Sequence, residues 1–412
     1  MDLPAGLGNR LVATLHTVHG EHAGHRAAHA KGSCCAATFR ATSAGAQLTR
    51  AAHFQGGAIP ATVRFSNGSG IPAYPDYARS DGRGMAVKFR LPGDAHADMV
   101  ALTLPVFFAR DPESFMDFLL VTRPDPQTRQ PDLARIGAYL EQHPETQAAL
   151  GAAMATDLPA SYLRVRYNGI HAFRLVSSSG QATWVRYRWE PELGEAKISS
   201  DEARSGGREY LQDELRASLT QGAAAFGLVF VVAAPSDSLT DPTSAWPDDR
   251  ETVLAGRLEV TAAEPAEACD SLIFDPTSVV DGIELPADPI LHARSAAYAV
   301  SYAARRGMTA PPSTTSMPDA PAAAGRRAKA AAGDVAPGAI KAVDVDGARV
   351  AVANVDGTLC AFQDTCPHRG CSLADGALDG KVVTCPCHGS RFDVISGEVL
   401  KGPAKESIAT FT

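Results

Sequence analysis

The residues that decide the fold of the C-terminal part of the chain are 366–389, which read CPHRGCSLADGALDGKVVTCPCHG. The stretch begins with the pair Cys366 and His368 and ends with a second pair, Cys385 and His388, and a glycine closely follows each pair. Thiolates and imidazoles are common ligands of zinc and of iron. The spacing therefore predicts a metal centre held between two loops, with a zinc site of two cysteines and two histidines as the alternative.

Turn signals surround this stretch and indicate hairpins. Asp-Gly dipeptides, which favour tight turns between antiparallel strands, occur at 346–347, 356–357, 375–376 and 379–380. We therefore expect a small all-β domain over residues 334–412.

Residues 309–333 are rich in Ala, Pro, Ser and Thr and contain no aromatic residue, so they bury too little apolar surface to fold. We predict that they form a linker and that residues 1–308 form a larger domain.

Composition narrows the class of protein. A hydrophobic share of 45% and a charged share of 20% are typical of a folded globular chain. The net charge of −8 and the pI near 5.8 argue against a nucleic-acid-binding surface. We find neither an apolar run of the roughly 18–20 residues that a membrane helix needs nor an N-terminal targeting pattern. The sequence thus predicts a cytoplasmic protein.

The larger domain shows more strand patterns than helix patterns. Apolar and polar residues alternate, as in half-buried strands, at 62–66, 162–167, 182–189 and 256–260. The run 226–232 is continuously apolar and fits a buried strand or a short core helix. Helical patterns occur at 112–121, 132–143 and 288–306. We expect an α+β fold with an antiparallel barrel or large sheet and added helices.

The two cysteine–histidine pairs of the C-terminal domain resemble those of the Rieske family. The resemblance implies a [2Fe–2S] cluster in which Cys366 and Cys385 bind one iron while His368 and His388 bind the other. Neutral imidazole ligands raise the reduction potential of such a cluster. The domain is then expected to transfer single electrons and to do no bond chemistry of its own.

Three further residues bear on this expected cluster. Cys371 and Cys387 stand where Rieske proteins of higher potential carry a disulfide between the cluster loops, and two free buried thiols are the alternative. Ser390 matches the position whose hydroxyl can donate to a cluster sulfide, and Phe392 replaces a tyrosine that often adds a second such bond. The resemblance therefore implies a potential in the upper part of the family range, slightly lowered by Phe392.

Several stretches of the larger domain, in this order, resemble the heme catalase superfamily. They are RAAHAKG at 26–32, VRFS at 63–66, DGRGMAVKF at 81–89, LPVFFARDP at 104–112 and RSAAY at 294–298. Residues 275–306 are typical of its smaller branch, the catalase-related peroxidases. The resemblance covers about residues 20–308 and implies an antiparallel β-barrel with flanking helices and a buried heme b.

The same resemblance assigns heme-binding roles. Tyr298 is expected to bind the iron as a phenolate, which the iron charge and the guanidinium of Arg294, one helical turn away, both favour. Positions 294, 298 and 305 share one helix face. The remaining expected contacts are arginines paired with the heme propionates and an aromatic ring near the distal face of the porphyrin: Arg26, Arg64, Arg305 and Phe115.

On the distal side, the resemblance implies that His29 moves a proton between the two oxygens of a peroxide. Full catalases add a distal asparagine, and we align Thr103 with that position. Without an amide to orient peroxide, we expect peroxidase chemistry rather than disproportionation. The pocket should also be apolar enough for organic hydroperoxides.

We expect several other cysteines and histidines to have structural rather than catalytic roles. Adjacent cysteines bridge each other only with strain, so we expect Cys34 and Cys35 to be small buried side chains. We interpret Cys269 and Cys360 in the same way. We expect His22, His25, His171 and His292 to be structural or surface residues.

Together the two cofactors predict a heme peroxidase that reduces hydrogen peroxide or organic hydroperoxides. Its electrons would come from an external donor, a ferredoxin or a reductase, through the fused Rieske cluster. The family resemblance also suggests a homodimer.

Three alternatives stay open. The same electrons could support an oxygenase that oxidises an organic substrate. Rearrangement of a fatty-acid hydroperoxide is a redox-neutral alternative that leaves the cluster unused. A redox sensor is the non-enzymatic alternative, and the distal His29 argues against it.

Overall fold

The computed structural model of the chain describes residues 6–79, 81–125, 127–128, 130–307, 335–345, 348–368 and 370–411. The chain divides into two compact units, Met1–Ser313 and Thr314–Thr412. The segment 309–333 lies outside the described residues, so its role as a linker stays a prediction.

The first unit contains eleven strands and eight helices among its described residues. The strands are β1 Gly32–Ala41, β2 Ile59–Asn67, β3 Arg83–Arg90, β4 His96–Leu102, β5 Leu158–Pro159, β6 Tyr167–Val176, β7 Ala182–Pro191, β8 Lys197–Ile198, β9 Ala224–Val232, β10 Thr252–Ala263 and β11 Ile283–Glu284. The helices are α1 Leu7–His19, α2 Ser43–Leu48, α3 Pro112–Thr122, α4 Leu133–Gln142, α5 Thr146–Ala155, α6 Ser200–Ser205, α7 Tyr210–Gln221 and α8 Pro289–Arg305.

The long strands close into an antiparallel barrel. Their order is β6, β4, β3, β2, β1, β10, β9, β7, and hydrogen bonds between β7 and β6 complete the ring. β4 and β6 meet at a single register pair, Leu102 with Asn168. The predicted barrel with flanking helices is confirmed, and the apolar run 226–232 is strand rather than helix.

Strand alternation decides which side chains fill the barrel and which face outward. Phe39, Phe65 and Phe89 are fully buried in the barrel core, where the rings of Phe39 and Phe89 meet edge to face with centroids 5.0 Å apart. Their neighbours in sequence project from the opposite face of each strand, because successive side chains of a strand alternate. The helices α1, α3 and α8 share a second apolar cluster, and they line one cavity together with the outward faces of β2, β3 and β4.

The predicted strand at 162–167 is wrong. Tyr162–Arg164 forms a 3-10 turn that starts at Ser161, whose hydroxyl accepts a hydrogen bond from the amide of Leu163. The buried hydroxyl of Tyr162 bonds to Asn67 and accepts from Gln212 at 2.8 Å. A buried hydroxyl needs hydrogen-bond partners, and these two distant residues provide them for Tyr162 where the chain turns. The helical predictions at 112–121, 132–143 and 288–306 are confirmed by α3, α4 and α8.

The second unit is all β among its described residues, as predicted. Its strands are β12 Ile340–Val345, β13 Ala348–Val355, β14 Thr358–Gln363, β15 Ala377–Asp379, β16 Val382–Thr384, β17 Arg391–Asp393, β18 Val399–Lys401 and β19 Thr410–Phe411. They form two sheets in the orders β12-β13-β14-β19 and β15-β16-β17-β18. Asp356 and Gly357 both have positive φ in the turn between β13 and β14, as a tight hairpin requires. In neither unit do the described residues include a helix long and apolar enough to cross a membrane.

A buried histidine in the barrel core makes the fold sensitive to acid. His53 is 1% exposed, and its ring stacks on Phe89 at 4.7 Å between centroids. Neither ring nitrogen has a hydrogen-bond partner among the described residues. Burial lowers the pKa of His53 to about 3. Because the unfolded chain binds this proton near pH 6.5 and the folded chain does not, stability is lost as pH falls from 6.5 toward 3.

We expect His53→Phe to remove part of this acid sensitivity. When pH falls from 7 to 5, the free energy of unfolding of this variant should decrease by about 2 kcal/mol less than that of the wild type, because one such histidine contributes this amount through proton linkage. Urea unfolding of the full chain, followed by tryptophan fluorescence, measures it, because Trp184, Trp189 and Trp246 all lie in the first unit. The same change at exposed His25 is the control, and an unaltered pH dependence in His53→Phe would contradict the assignment.

Candidate heme pocket and iron–sulfur loops

A cavity of about 1210 Å³, counting its open mouth, lies between the outward faces of β2, β3 and β4 and the helices α1 and α8. The apolar side chains of Leu11, Val12, Ile290 and Ala297 form part of its wall. With one exception, the residues predicted to serve the heme line this cavity, namely Arg26, His29, Arg64, Phe115, Arg294, Tyr298 and Arg305. The exception is Thr103.

The side of the cavity that carries Tyr298 is built on α8. Asp288 caps the helix by accepting from the amides of Ile290 and Leu291, and this fixes the start of the helix. Two turns later Arg294 donates to the Tyr298 hydroxyl from Nε at 3.1 Å and from Nη2 at 2.9 Å. A guanidinium that holds a phenol oxygen in this way stabilises the phenolate, as a tyrosine ligand of iron requires.

Two residues behind Arg294 were not anticipated in the sequence. His171, expected to be structural or at the surface, is buried, and its Nε2 lies 2.9 Å from Nη1 of Arg294. Its Nδ1 lies 2.6 Å from Oδ2 of Asp288. Burial lowers the pKa of His171, so the ring is neutral, donates from Nδ1 to the carboxylate and accepts from Arg294. These contacts, from Asp288 through His171 and Arg294 to Tyr298, thus fix the phenol oxygen from two elements, β6 and the capped helix α8.

His29 occupies the distal wall in a left-handed backbone conformation, with φ at 53°. Arg64 holds this conformation because its Nη2 donates to the carbonyl of His29 at 2.9 Å. Nδ1 of His29 lies 3.0 Å from the hydroxyl of Ser66, and a Cβ at Gly84 would lie 3.0 Å from the same ring. Burial and the charges of Arg64 and Arg294 lower the pKa of His29 to about 3, so the ring is neutral and able to take a proton at ordinary pH.

Thr103, which the resemblance aligned with the distal position, lies directly after the end of β4. Thr103 hydrogen-bonds with the backbone of Arg83, and it is not among the described residues that line the cavity. Leu102 lines the cavity instead, because it shares the outward face of β4 with Val100. The apolar character expected for this wall is retained, since Leu102 packs with Phe107 and Phe115.

Whether the cavity suits a heme depends on three arginines that line it, Arg26, Arg64 and Arg305. The pKa values of Arg26 and Arg305 are lowered to about 9 and that of Arg64 to about 10, in each case by burial and then by a neighbouring guanidinium. Among the described residues none of the three forms an ion pair, and Nε of Arg305 is buried without a hydrogen-bond partner. The charge of Asp270 offsets these three positive charges only in part, and two propionates would supply the rest of the negative charge. The residues present fit a heme.

Two of the four cysteines expected to be small buried side chains are paired instead. Cys34 of β1 and Cys269 form a disulfide across a sequence separation of 235 residues, so that interpretation was wrong for them. Cys35 is a buried free thiol, as predicted, whereas Cys360 is a free thiol that is only half-buried.

In the second unit the four predicted cluster ligands lie on two loops. Cys366 and His368 follow β14, and Cys385 and His388 follow β16. The thiols of Cys366 and Cys385 contact each other in the interior, and the imidazole rings of His368 and His388 meet at 87° with centroids 4.6 Å apart. Two thiols and two imidazoles side by side are the donor set of a Rieske-type cluster.

The two loops are fastened to each other and to the chain that follows. Cys371 and Cys387 form a disulfide with an S–S distance of 2.14 Å, which is the arrangement the Rieske resemblance implied. The buried Ser390 hydroxyl accepts from the amide of Ala404 at 3.0 Å, and its proton can still be donated. Phe392 is fully buried in the core of this unit.

Comparisons with known proteins agree with both sites. A family model described as Catalase matches residues 9–326, and one described as Rieske [2Fe-2S] domain matches residues 327–412. The catalase-related peroxidase of Mycolicibacterium paratuberculosis is 39% identical over 311 residues, 74% of this chain and 97% of that protein. That of Synechococcus elongatus is 34% identical over 303 residues, 73% of this chain and 89% of that protein.

Solved catalases show the same barrel. Catalase A from Saccharomyces cerevisiae superposes with a TM-score of 0.62 at 25% identity, covering 72% of this chain and 64% of that one. The chain thus spans less than two thirds of the length of this solved catalase. The chain belongs to the catalase family as a heme enzyme related to the catalase-related peroxidases, and it carries a C-terminal Rieske domain for a [2Fe–2S] cluster.

Proposed function

We propose that this protein reduces hydrogen peroxide or an organic hydroperoxide at its heme, with electrons delivered through its Rieske domain from an external ferredoxin or reductase. Each peroxide takes up two electrons and two protons, and its O–O bond breaks to give two waters, or an alcohol and a water. When bound, heme supplies the redox-active iron at which this two-electron reduction occurs.

The observation that carries the proposal is the neutral His29 ring, which lines the same cavity as the hydrogen-bonded Tyr298–Arg294 pair. His29 can take the first proton from one peroxide oxygen and return it to the other, which makes the departing oxygen a good leaving group. The hydroxyl of Ser66 orients the ring, and Gly84 leaves room for it. A redox sensor has no use for an acid–base group placed in this way.

The Rieske domain supports the second half of the proposal. Its ligand set is suited to accepting and donating one electron at a time, whereas the peroxide reaction needs two. A donor attached to the same chain has a high effective concentration at the heme domain. We propose that two successive transfers through this domain complete each turnover, within one chain or between two chains of a homodimer.

The apolar distal wall favours reduction over disproportionation. We expect Leu102→Asn to raise oxygen release from hydrogen peroxide by about tenfold, because an amide beside His29 can orient a second peroxide. An oxygen electrode measures this without any reductant. Leu102→Ile is the matched control, and oxygen release that stays at the wild-type level in both variants would show that this side chain does not set the reaction.

The proposal is tested by the stoichiometry of electrons and peroxide. Holoenzyme with a reducing system is expected to consume two electrons per hydrogen peroxide while releasing no oxygen. Cumene hydroperoxide is expected to yield one cumyl alcohol per two electrons. Oxygen release that matches peroxide loss, with no reductant consumed, would instead identify a catalase.

A further inference from the structure

The bonded sulfurs of Cys34 and Cys269 lie directly behind the wall of the heme cavity. Both residues are buried, with 2% and 3% of their surface exposed. Ala86, Val100 and Phe274 pack in the same cluster as the cysteine pair, and all three also line the cavity. One layer of side chains therefore separates the sulfurs from the space that the heme fills.

The segment that follows Cys269 holds two of the arginines at the propionate end. Arg26 donates from Nη2 to the carbonyls of Cys269 at 2.8 Å and of Leu272 at 3.1 Å. Arg305 donates from Nη2 to the same carbonyl of Leu272 at 2.7 Å. The positions of these two guanidinium groups consequently depend on where residues 269–272 lie.

Among the described residues, the middle of this loop packs on the barrel through apolar side chains and makes no hydrogen bond to a barrel strand, so the sulfur link is its one covalent tie there. After β10 ends at Ala263, the amide of Glu264 donates to the carbonyl of Cys34 at 2.8 Å. The amide of Asp275 donates to Oδ2 of Asp98 at 2.8 Å. The loop is thus tied to the barrel near both of its ends, and Cys269 lies between these ties.

We propose that Cys34 and Cys269 are a redox-controlled pair whose disulfide, formed by hydrogen peroxide, fixes the arginine-bearing wall of the pocket and slows the loss of heme. In its formation two S–H bonds and the O–O bond of peroxide break, one S–S bond forms, and two waters leave. The sulfurs are oxidised by two electrons, and the peroxide is reduced by two. The choice of oxidant rests on the proposed function, but the effect of the disulfide on heme retention does not.

Cys35 provides a control within the same strand. It is adjacent to Cys34 but projects from the opposite face of β1 into the barrel core, where it is fully buried. Burial, and then the charge of Glu264, raise the pKa of the Cys35 thiol to about 12. This thiol has no sulfur partner among the described residues and should stay reduced under peroxide.

The test measures heme release rather than activity. Full-length holoenzyme is prepared in the dithiol form with a phosphine reductant and in the disulfide form with hydrogen peroxide, and each is mixed with excess apomyoglobin to capture released heme. We expect heme transfer to be about tenfold faster from the dithiol form, because the loop is no longer covalently tied. The Cys269→Ser variant should release heme at the fast rate under both conditions, and Cys35→Ser should behave as the wild type does.

Two results would overturn the proposal. One is equal heme release from the two wild-type forms, and the other is peptide mapping that finds no Cys34–Cys269 linkage after peroxide treatment. The reductant also opens Cys371–Cys387, so Cys269→Ser, which keeps that bridge, assigns the effect to the correct disulfide. Cys34→Ser makes the same test if Cys269→Ser does not fold. Because heme release requires no turnover, it gives an answer even if the proposed peroxidase reaction is not found.

Discussion

His29→Ala is expected to lower the second-order rate of the heme with hydrogen peroxide by about 10² to 10⁴, the usual contribution of a positioned acid–base group. The variant loses the only imidazole among the described residues that line the cavity, and with it the proton transfer between the peroxide oxygens. Stopped-flow absorbance of the resting heme mixed with peroxide measures this rate. The Soret band should persist, because the contacts that we propose for the heme belong to Tyr298 and the arginines.

Two further variants separate chemistry from structure. His29→Gln keeps a polar side chain that cannot serve as an acid–base group, and it should be nearly as slow as His29→Ala. Ser66→Ala removes only the hydroxyl 3.0 Å from Nδ1 of His29, so a smaller loss is expected. A His29→Ala protein that reacts at the wild-type rate would remove His29 from the mechanism.

Cys385→Ser is expected to abolish turnover that depends on a ferredoxin-type donor, by at least about 100-fold, because a serine cannot replace a thiolate ligand without disrupting the cluster. Cys385 is 2% exposed and packs against Cys366 in the core of the second unit. The heme unit is untouched by this change. Peroxidase turnover with a small phenol, which can reduce the heme directly, should therefore persist.

The matched control is Cys360→Ser. Cys360 is a half-buried free thiol of the same unit and belongs to β14 rather than to either of the two cluster loops. Its replacement should leave both the donor-dependent and the phenol-dependent rates unchanged. Steady-state rates with the two reductants compare the variants, and donor-dependent turnover that survives Cys385→Ser would mean that electrons bypass the Rieske domain.

The parts of the fold and site that local patterns encode could be predicted from the sequence. Alternating residues gave β2, β7 and β10 because a strand that buries one face must repeat every second residue. The cysteine–histidine pairs of the cluster loops and the Arg294–Tyr298 spacing on α8 are likewise local features.

What the sequence did not show depends on contacts between distant segments. His171 lies 117 residues from Asp288, and only the barrel brings its ring between that carboxylate and Arg294. The disulfide of Cys34 with Cys269 also spans separate elements, and no spacing rule predicts its partner. To decide whether Leu102 or Thr103 lines the cavity, one must know where β4 ends, and a sequence pattern predicts a strand end only to within a residue or two.

The central claim, that electrons pass from the Rieske domain to the heme during peroxide reduction, is tested most directly by a single-turnover experiment. Fully reduced full-length protein is mixed with one equivalent of hydrogen peroxide under anaerobic conditions, and the cluster and heme absorption bands are followed together. We predict that the cluster band returns to its oxidised form within the same turnover, and that His29→Ala slows this return in parallel with the heme reaction. A heme that reacts while the cluster stays reduced would contradict the account.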